Sequence, residues 1–289
     1  MNMKIESKSF HYGGNVSIHY QVGGHGPVPL IFLHGFASAH NTWHDLASLF
    51  PADRYKLFLL DLKGFGLSAK PRDNAYAVED QAAMVQAFIS EQGLNSVSLI
   101  GHSFGGAVAL RVCLEAQAGK KFFSVDKLVL IGCAAYPQRL PKFFRRLKNP
   151  LFGPLMLHLM PKRMMVKGTL TKVFSDNSAI TPERVERFVG YFRGRGIPYA
   201  LRTTVKRIDL EEYARIGERY RQMHVPTLII WGEKDCIIKL KQGQRLNGDL
   251  PDSRLKIVDK CGHLPHEERP AETFAAMDEF LATGRGPSK

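Results

Sequence analysis

Residues 97–106, VSLIGHSFGG, join a short apolar run to a glycine-rich turn that contains the pentapeptide Gly-His-Ser-Phe-Gly. The apolar run predicts a buried strand, and the stretch rich in Ala, Val and Leu after the turn predicts a helix. A sharp strand-to-helix turn lifts a serine side chain above the edge of a sheet and requires small neighbours, which Gly101 and Gly105 provide. A serine can occur in such a turn by chance, but this context indicates that Ser103 is a nucleophile.

Apolar runs of similar length recur on both sides of this turn. Continuous runs suit parallel strands buried on both faces, and they occur at residues 29–33, 56–60, 97–100, 127–131, 227–231 and 254–258. Residues 16–22 alternate, and residues 78–92 and 104–118 have helical spacing. Strands that alternate with helices predict an α/β fold with a mostly parallel, twisted sheet flanked by helices.

The strand pattern stops between residues 136 and 220, where seven prolines separate short helical stretches. Residues 136–222 contain 19 Lys and Arg against 7 Asp and Glu, so this region has nearly all of the chain's net charge of +13. We therefore predict a core domain of residues 1–135 and 221–289 and a helical insert of residues 136–220 after the sixth strand.

A serine hydroxyl needs a base to accept its proton, and the base needs a carboxylate to orient it. His263 follows the strand at residues 254–258, and Gly262 supplies the turn that presents it, so we prefer it to His266. Asp235 follows the strand at residues 227–231, with Glu233 as the alternative. The order Ser, Asp, His, with each residue just after a predicted strand, is the order this architecture uses.

Acyl transfer also needs two donors for the oxygen that becomes negative. One is expected to be the backbone N–H of Phe104, directly after the nucleophile. The second is expected from the loop after the strand at residues 29–33, where we assign the N–H of Phe36. His34, in the same loop, is interpreted as a structural anchor.

Five segments together resemble the α/β-hydrolase superfamily, in its branch of esterase- and lipase-like serine hydrolases with a helical cap. They are HGF at residues 34–36, DLKGFGLS at 61–68, GHSFGG at 101–106, WGEKD at 231–235 and GHLPHEERP at 262–270. The resemblance covers residues 18–131 and 226–281 and implies that the insert is the variable cap. Lys63 replaces the more usual Arg, and the Pro often found after the acid is missing. Serine at position 103 disfavours haloalkane dehalogenases and epoxide hydrolases, which have Asp there.

Residues 140–172 of the insert combine Phe, Leu and Met with Lys and Arg. Either the apolar side chains pack on the core under solvated charges, or they line an acyl-chain pocket beneath a basic face. On the second interpretation the substrate-binding residues are Phe36, His102, Phe143, Leu155 and Leu159. A basic amphipathic surface of this kind can also contact an anionic membrane.

The expected function is hydrolysis of small-molecule carboxylic esters with apolar acyl chains through an acyl-enzyme. C–C bond hydrolysis, thioester hydrolysis, perhydrolysis and acyl transfer are alternatives on the same fold, and a non-catalytic ligand receptor is another. No cofactor, metal or nucleic acid is expected, because the sequence has neither ligand clusters nor a recognition motif. With no signal peptide, no apolar run of about 20 residues and no paired cysteines, the chain is expected to be cytoplasmic; its oligomeric state is left open.

Overall fold

The computed structural model describes residues 3–119, 122–139 and 141–282. Leu140 and residues 283–289, which the sequence predicts to be a frayed end, lie outside the described residues. Eight strands form one sheet, and they are β1 (Ile5–Tyr12), β2 (Val16–Gly23), β3 (Val28–Leu33), β4 (Tyr55–Leu60), β5 (Ser96–His102), β6 (Ser124–Ile131), β7 (Thr227–Gly232) and β8 (Ser253–Val258). The sheet order is β1-β2-β4-β3-β5-β6-β7-β8, and the pairs are parallel from β4 to β8, which confirms the predicted mostly parallel sheet.

Strand β1 was not expected from the sequence, because it has no apolar run. It pairs antiparallel with β2 at the edge of the sheet, and β2 pairs antiparallel with β4. Of its eight residues only Phe10 is buried. Backbone hydrogen bonds rather than burial therefore hold this strand, and such bonds leave no hydropathy signal.

Helices cover both faces of the sheet. They are α1 (His44–Ala47), α2 (Val78–Glu91), α3 (Phe104–Gln117), α4 (Lys142–Lys148), α5 (Phe152–Leu159), α6 (Lys162–Val173), α7 (Pro182–Gly190), α8 (Ile197–Lys206), α9 (Leu210–Glu218), α10 (Leu240–Asp249), α11 (Pro265–Glu268) and α12 (Pro270–Ala282). In β3, Ile31 and Leu33 face the cluster under α2, α3 and α10, whereas Leu30 and Phe32 face the cluster under α1 and α12. This alternation buries the central strands on both faces, as their continuous apolar runs predict.

Helices α4 to α9 follow β6 and precede β7, in the region where the sequence predicts the insert. Leu147, Met156 and Met165 of the insert pack into the main apolar cluster of the core. Helices α6 and α7 form a separate cluster, in which Leu170 and Val185 pack against Leu264 of the segment after β8. The insert is therefore joined to the core by apolar packing at two places. Among the described residues, every helix is too short or too polar to cross a bilayer.

The parallel strands end at one common edge of the sheet, so the loops after them converge there. Close packing of α3 on β3 brings the loop after β5 to the loop after β3. At Gly105, the Cβ atom of any other residue would lie 2.1 Å from the carbonyl oxygen of Leu33. Gly105 is thus required by the approach of a helix to a strand backbone.

We expect Gly105→Ala to lower the free energy of unfolding by about 1–3 kcal/mol, because the added methyl overlaps a backbone atom that cannot move without shifting β3. Urea unfolding followed by circular dichroism measures this change. Gly168→Ala in α6 is the matched control, since no atom lies within 4 Å of the added Cβ there. The control should be neutral or up to about 1 kcal/mol more stable, because alanine favours a helix over glycine. Equal stability of Gly105→Ala and the unmodified chain would contradict the packing described.

Candidate active site

Ser103 occupies the turn between β5 and α3 with φ 51° and ψ −114°. A positive φ is strained for a residue with a side chain and persists only where surrounding bonds hold it. The Ser103 N–H donates to Ile131 O at 2.9 Å, and its carbonyl accepts from Gly106 N at 3.0 Å and from Ala134 N at 3.1 Å. These bonds hold the strained turn, which is the geometry expected of a serine nucleophile.

The loop after β3 lies directly against this turn. A Cβ atom on Gly35 would lie 2.7 Å from His102 Nδ1 and 3.3 Å from Ser103 Cβ, so a side chain here would press against the turn. The backbone N–H groups of Phe36 and Phe104 have no acceptor among the hydrogen bonds of the described residues. Both N–H groups of the predicted donor pair therefore remain available beside Ser103.

His34 anchors this loop, as the sequence suggests. Its Nδ1 lies 2.7 Å from the carbonyl oxygen of Gly35, and its Nε2 accepts from Leu62 N at 3.0 Å. Complete burial lowers the pKa of His34 to about 4. A neutral imidazole that donates at one nitrogen and accepts at the other has no nitrogen left for acid–base work.

His263 and Asp235 are paired at the ends of β8 and β7. His263 Nδ1 lies 2.7 Å from Asp235 Oδ2, and both side chains are buried. The other carboxylate oxygen, Oδ1, accepts from the backbone N–H groups of Ile237 at 2.8 Å and Ile238 at 2.9 Å. The carboxylate is thus fixed on one side by backbone donors and faces the imidazole on the other, which sets the tautomer with Nε2 as the free base.

The alternatives raised by the sequence lie elsewhere. Glu233 is exposed, and its carboxylate accepts from Lys260 N at 3.1 Å. His266 is fully buried, with its ring centroid 4.5 Å from that of Trp43 and its Nε2 3.1 Å from Thr42 Oγ1. Burial lowers the pKa of His266 to about 3. The structure therefore brings Asp235 and His263 together and leaves Glu233 and His266 in structural positions.

No hydrogen bond joins Ser103 Oγ to His263 in the part of the chain that the structure describes. The two residues are linked through His102, whose Nε2 lies 3.0 Å from the carbonyl oxygen of His263 and whose ring centroid lies 4.8 Å from the His263 ring. Catalytic hydrogen bonds are often long in unliganded enzymes and shorten when substrate binds. Within the described residues, His263 and Ser103 are therefore connected through His102 and not through a direct hydrogen bond.

Ser103 opens into a narrow cavity of about 60 Å³. The cavity lies between the sheet edge and the insert, and its described lining residues are Phe36, Ser103, Phe104, Ala134, Tyr136, Gln138, Pro141, Phe144, Ile208, Leu210, Tyr213, Ile237 and Ile238. None of them is Lys, Arg, Asp or Glu. Sequence reasoning found only Phe36, Ser103 and Phe104 of this set. Ile237 and Ile238 could have been found, because they lie two and three positions after Asp235.

Four of the five residues predicted to bind substrate are not in this lining, and only Phe36 is. His102 is 4% exposed and lies among histidine rings behind the turn, and burial brings its pKa well below the ordinary value. Phe143 packs beside Phe144, and Phe144 rather than Phe143 makes the ring contact with Phe36. Leu155 and Leu159 are 54% and 72% exposed on the outer face of α5. The apolar side chains of the insert thus divide between core, cavity and solvent.

Asp61 of the segment at residues 61–68 organises a second buried cluster. Its Oδ2 lies 2.8 Å from His19 Nδ1 and 2.9 Å from His40 Nδ1, and it also accepts from Leu67 N at 2.8 Å. Burial alone raises the pKa of Asp61, but the hydrogen bonds from His19 and His40 bring it well below its ordinary value. Because these imidazole nitrogens donate to the carboxylate, they are not lone-pair ligands for a metal in this arrangement.

The insert also holds the loop of His263, a contact that sequence reasoning missed. His263 N donates to the carbonyl oxygen of Val173, the last residue of α6, at 2.6 Å. The buried carboxylate of Glu268 accepts from Gly262 N at 2.5 Å and from Ser175 N at 2.8 Å. The end of α6 and the histidine loop are thus joined through one backbone bond and one bridging carboxylate.

A second connection joins α7 to the same loop. Arg187 Nη2 lies 2.6 Å from Glu267 Oε2, and Arg184 Nε lies 3.5 Å from the same oxygen. Asp45 faces both guanidinium groups, at 3.7 Å from Arg184 and 3.6 Å from Arg187. One charge-assisted hydrogen bond from Arg187 and an ion-pair contact from Arg184, both to the buried Glu267 carboxylate, fix α7 against α11.

The sequence model of a protein family, described as the alpha/beta hydrolase fold, matches residues 28–270 of this chain. The chain belongs to the α/β-hydrolase fold family.

Of three similar proteins reported for this α/β-hydrolase family, one is uncharacterised and the other two are named for different reactions. The chain is 31% identical over 266 residues to an uncharacterised hydrolase of Bacillus subtilis (strain 168), covering 91% of this chain and 92% of that protein. It is 28% identical over 289 residues to a 2-hydroxy-6-oxononadienedioate/2-hydroxy-6-oxononatrienedioate hydrolase of a Pseudomonas species, covering 93% of each. The structure of a bacterial membrane phospholipase A superposes with a TM-score of 0.75 and 26% identity, over 96% of this chain and 86% of that one.

We expect Glu268→Gln to lower the free energy of unfolding by about 1–3 kcal/mol. Both carboxylate oxygens accept from backbone N–H groups, so the Gln amide must aim its own N–H₂ at one of these donors. Urea unfolding measures the loss. Glu279→Gln is the control, because its carboxylate is 72% exposed and, among the described residues, pairs only with Arg254. A loss no greater than that of the control would show that the bridge contributes nothing to stability.

Proposed function

We propose that this α/β-hydrolase cleaves neutral carboxylic esters with apolar acyl groups, with Ser103 as nucleophile, His263 as base and Asp235 as its orienting acid. One observation carries the proposal: a strained serine opens into an apolar cavity beside a buried His–Asp pair and two backbone N–H groups without acceptors. This arrangement contains every group that acyl transfer requires and no surplus charged group.

The proposed mechanism has two steps. His263 Nε2 takes the proton of Ser103 Oγ as the oxygen attacks the ester carbonyl, and the N–H groups of Phe36 and Phe104 bind the resulting oxyanion. The alcohol leaves with the proton from His263, and water then hydrolyses the acyl-enzyme by the same route. Asp235 stabilises the imidazolium through the 2.7 Å hydrogen bond to Nδ1.

The charge of the cavity supports a neutral substrate. A carboxylate buried in an apolar site is unfavourable by several kcal/mol unless a cation pairs with it. No described lining residue is Lys or Arg. The similar Pseudomonas hydrolase acts on a dioate, which has two carboxylates, whereas a phospholipase A acts on a carboxylic ester. The lining therefore favours ester hydrolysis over C–C hydrolysis of an acidic substrate.

The insert is proposed to act as the cap, because it closes the cavity over Ser103 with Tyr136, Phe144, Leu210 and Tyr213. Room for about two water molecules remains in 60 Å³, which is far below the 300–1,000 Å³ of ordinary ligand pockets. An acyl chain longer than a few carbons thus requires the cap to move.

We propose that the reaction takes place in the cytoplasm, since all four cysteines are free and three of them are buried.

A fluorophosphonate probe should label the protein at Ser103, and Ser103→Ala should abolish the labelling. The measurement is in-gel fluorescence of purified protein, with the modified peptide identified by mass spectrometry. Cys236→Ala is the control, because it removes the exposed thiol, and it should leave the labelling unchanged. An unlabelled protein that still binds an apolar ligand would support the receptor function instead.

Asp235→Asn should lower kcat by roughly 10³–10⁴-fold with little change in KM. Because Ile237 and Ile238 donate to Oδ1, the Asn oxygen takes that side and its N–H₂ faces His263 Nδ1, which forces the wrong tautomer. Glu233→Gln, at the exposed alternative acid, should retain full activity. Kinetics with p-nitrophenyl butyrate measure both variants. Loss of activity in Glu233→Gln with full activity in Asp235→Asn would identify Glu233 as the acid instead.

p-Nitrophenyl butyrate should exceed p-nitrophenyl hemisuccinate in kcat/KM by at least about 100-fold, because only the second places a carboxylate in the apolar cavity. The two acyl groups have the same number of carbons, so chain length does not contribute. Gln138→Lys should reduce this ratio, since it places a cation in the lining. Comparable rates for the two esters in the unmodified enzyme would refute the neutral-substrate proposal.

A further inference from the structure

Helix α5 has apolar side chains on two opposite faces. Met156 and Leu157 are buried, at 6% and 7% exposed, and pack into the main cluster. Phe152, Leu155 and Leu159 follow the spacing of one helical face and point outward, at 46%, 54% and 72% exposed. A surface helix normally presents polar residues on its outer face, so the outward face of α5 needs a different explanation.

This outward face belongs to a larger patch, the apolar ridge, which comprises Leu151, Phe152, Leu155, Leu159 and Met164. Leu151 is 84% exposed and Met164, in α6, is 61% exposed. Of ten large apolar side chains that are exposed within the described residues, these five fall between positions 151 and 164. Concentration of exposed apolar side chains marks an interaction site rather than the scattered exposure of an ordinary surface.

Basic side chains border the ridge on both sides. The exposed cations of α4 and α6 are Lys142, Arg145, Arg146, Lys148, Lys162, Arg163, Lys167 and Lys172. No Asp or Glu occurs anywhere in residues 127–175. Within the described part of the chain, Arg163 pairs with Glu186 at 3.3 Å, and the other seven have no carboxylate within 4.0 Å. The border of the ridge is therefore a surface of unpaired positive charge.

The two surfaces meet in a shallow cleft of about 460 Å³ between α4 and α5. Its lining is Lys142, Arg145, Arg146, Asn149 and Phe152, so three cations face the same space as one exposed aromatic ring. The Asn149 side chain accepts from Phe152 N at 2.8 Å and holds the start of α5 in place. A cleft of this composition suits a phosphate group attached to an apolar chain.

We propose that the apolar ridge and its basic border dock this protein on the surface of an anionic phospholipid membrane. The ridge enters the acyl region of the interface, and the cations of α4 and α6 contact headgroup phosphates. A second copy of the chain fits less well, because joining two ridges would bring two unpaired basic borders together. This inference goes beyond the proposed function and does not require that Ser103 be reactive.

Docking would take place next to the site. Helix α4 presents Phe144 to the cavity over Ser103, and the next residues, Arg145 and Arg146, line the basic cleft. One turn of one helix therefore separates the membrane surface from the cavity wall. A lipid surface held there delivers apolar esters to the edge of the insert.

The test is sedimentation of the full chain with vesicles of phosphatidylcholine alone or with 30% phosphatidylglycerol, at about 50 mM and 500 mM NaCl. We expect at least tenfold stronger binding to the anionic vesicles at low salt, and loss of most of it at high salt. Leu155→Ser with Leu159→Ser, and separately Arg145→Gln with Arg146→Gln, should each weaken binding at least tenfold. Leu67→Ser and Lys4→Gln with Lys8→Gln are the matched controls at exposed positions outside the ridge, and they should bind as the unmodified chain does.

Several results would overturn the proposal. Absence of binding to anionic vesicles is one, and binding unaffected by the ridge variants is another, since net charge alone would then explain it. Equal binding to soluble polyglutamate would favour an acidic protein partner, and a dimer in sedimentation analysis that the ridge variants dissociate would favour a second copy. Hydrolysis of soluble p-nitrophenyl butyrate by the ridge variants should be unchanged, so failure of docking and failure of the proposed function are distinguishable.

Discussion

The common direction of strands β3, β5, β7 and β8 is the constraint on which the site depends. Parallel strands end at the same edge of a sheet, so residues far apart in the sequence arrive together without any long loop. Three of these strands, β5, β7 and β8, are followed by Ser103, Asp235 and His263. The remaining strand, β3, is followed by Phe36. The short hydrogen-bonded turns at these ends then fix the side chains. The fold supplies proximity, and the turns supply orientation.

Burial divides the histidines of this edge into different roles. His34, His102, His263 and His266 all lie near Ser103, but of these four only His263 bonds a carboxylate. Burial lowers the pKa of the other three, so they remain neutral. A neutral imidazole neither competes for the serine proton nor repels a developing imidazolium. The surroundings thus leave one histidine with the charge partner that a general base needs.

The sequence predicted the mostly parallel sheet well, because buried parallel strands leave strong local patterns. Ser103, Asp235 and His263 come shortly after the ends of strands β5, β7 and β8. The edge strand β1 was missed, since backbone pairing with β2 holds it and only Phe10 is buried. The side-chain orientations in the insert were harder to predict, for a different reason. Helix α5 is apolar on both faces, so its pattern cannot tell which face meets the core, and Leu155 and Leu159 lie on the solvent side. Phe143 and Phe144 differ by one position, or about 100° around a helix, which separates a residue outside the cavity lining from a residue in it.

The ties between insert and core restrict how the cavity can open. Lifting the whole insert would break the bond from His263 to Val173, the Glu268 bridge to Ser175 and the ion pair of Arg187 with Glu267. It would release the loop that holds His263, the proposed base, during the proposed reaction. Movement limited to α4 and α5 leaves those contacts intact, because both helices precede α6 and their side chains take no part in them. Such a movement would enlarge the cavity at Phe144 while the hydrogen bond from Asp235 keeps His263 in position. Substrate could then enter the cavity without disturbing this His–Asp pair.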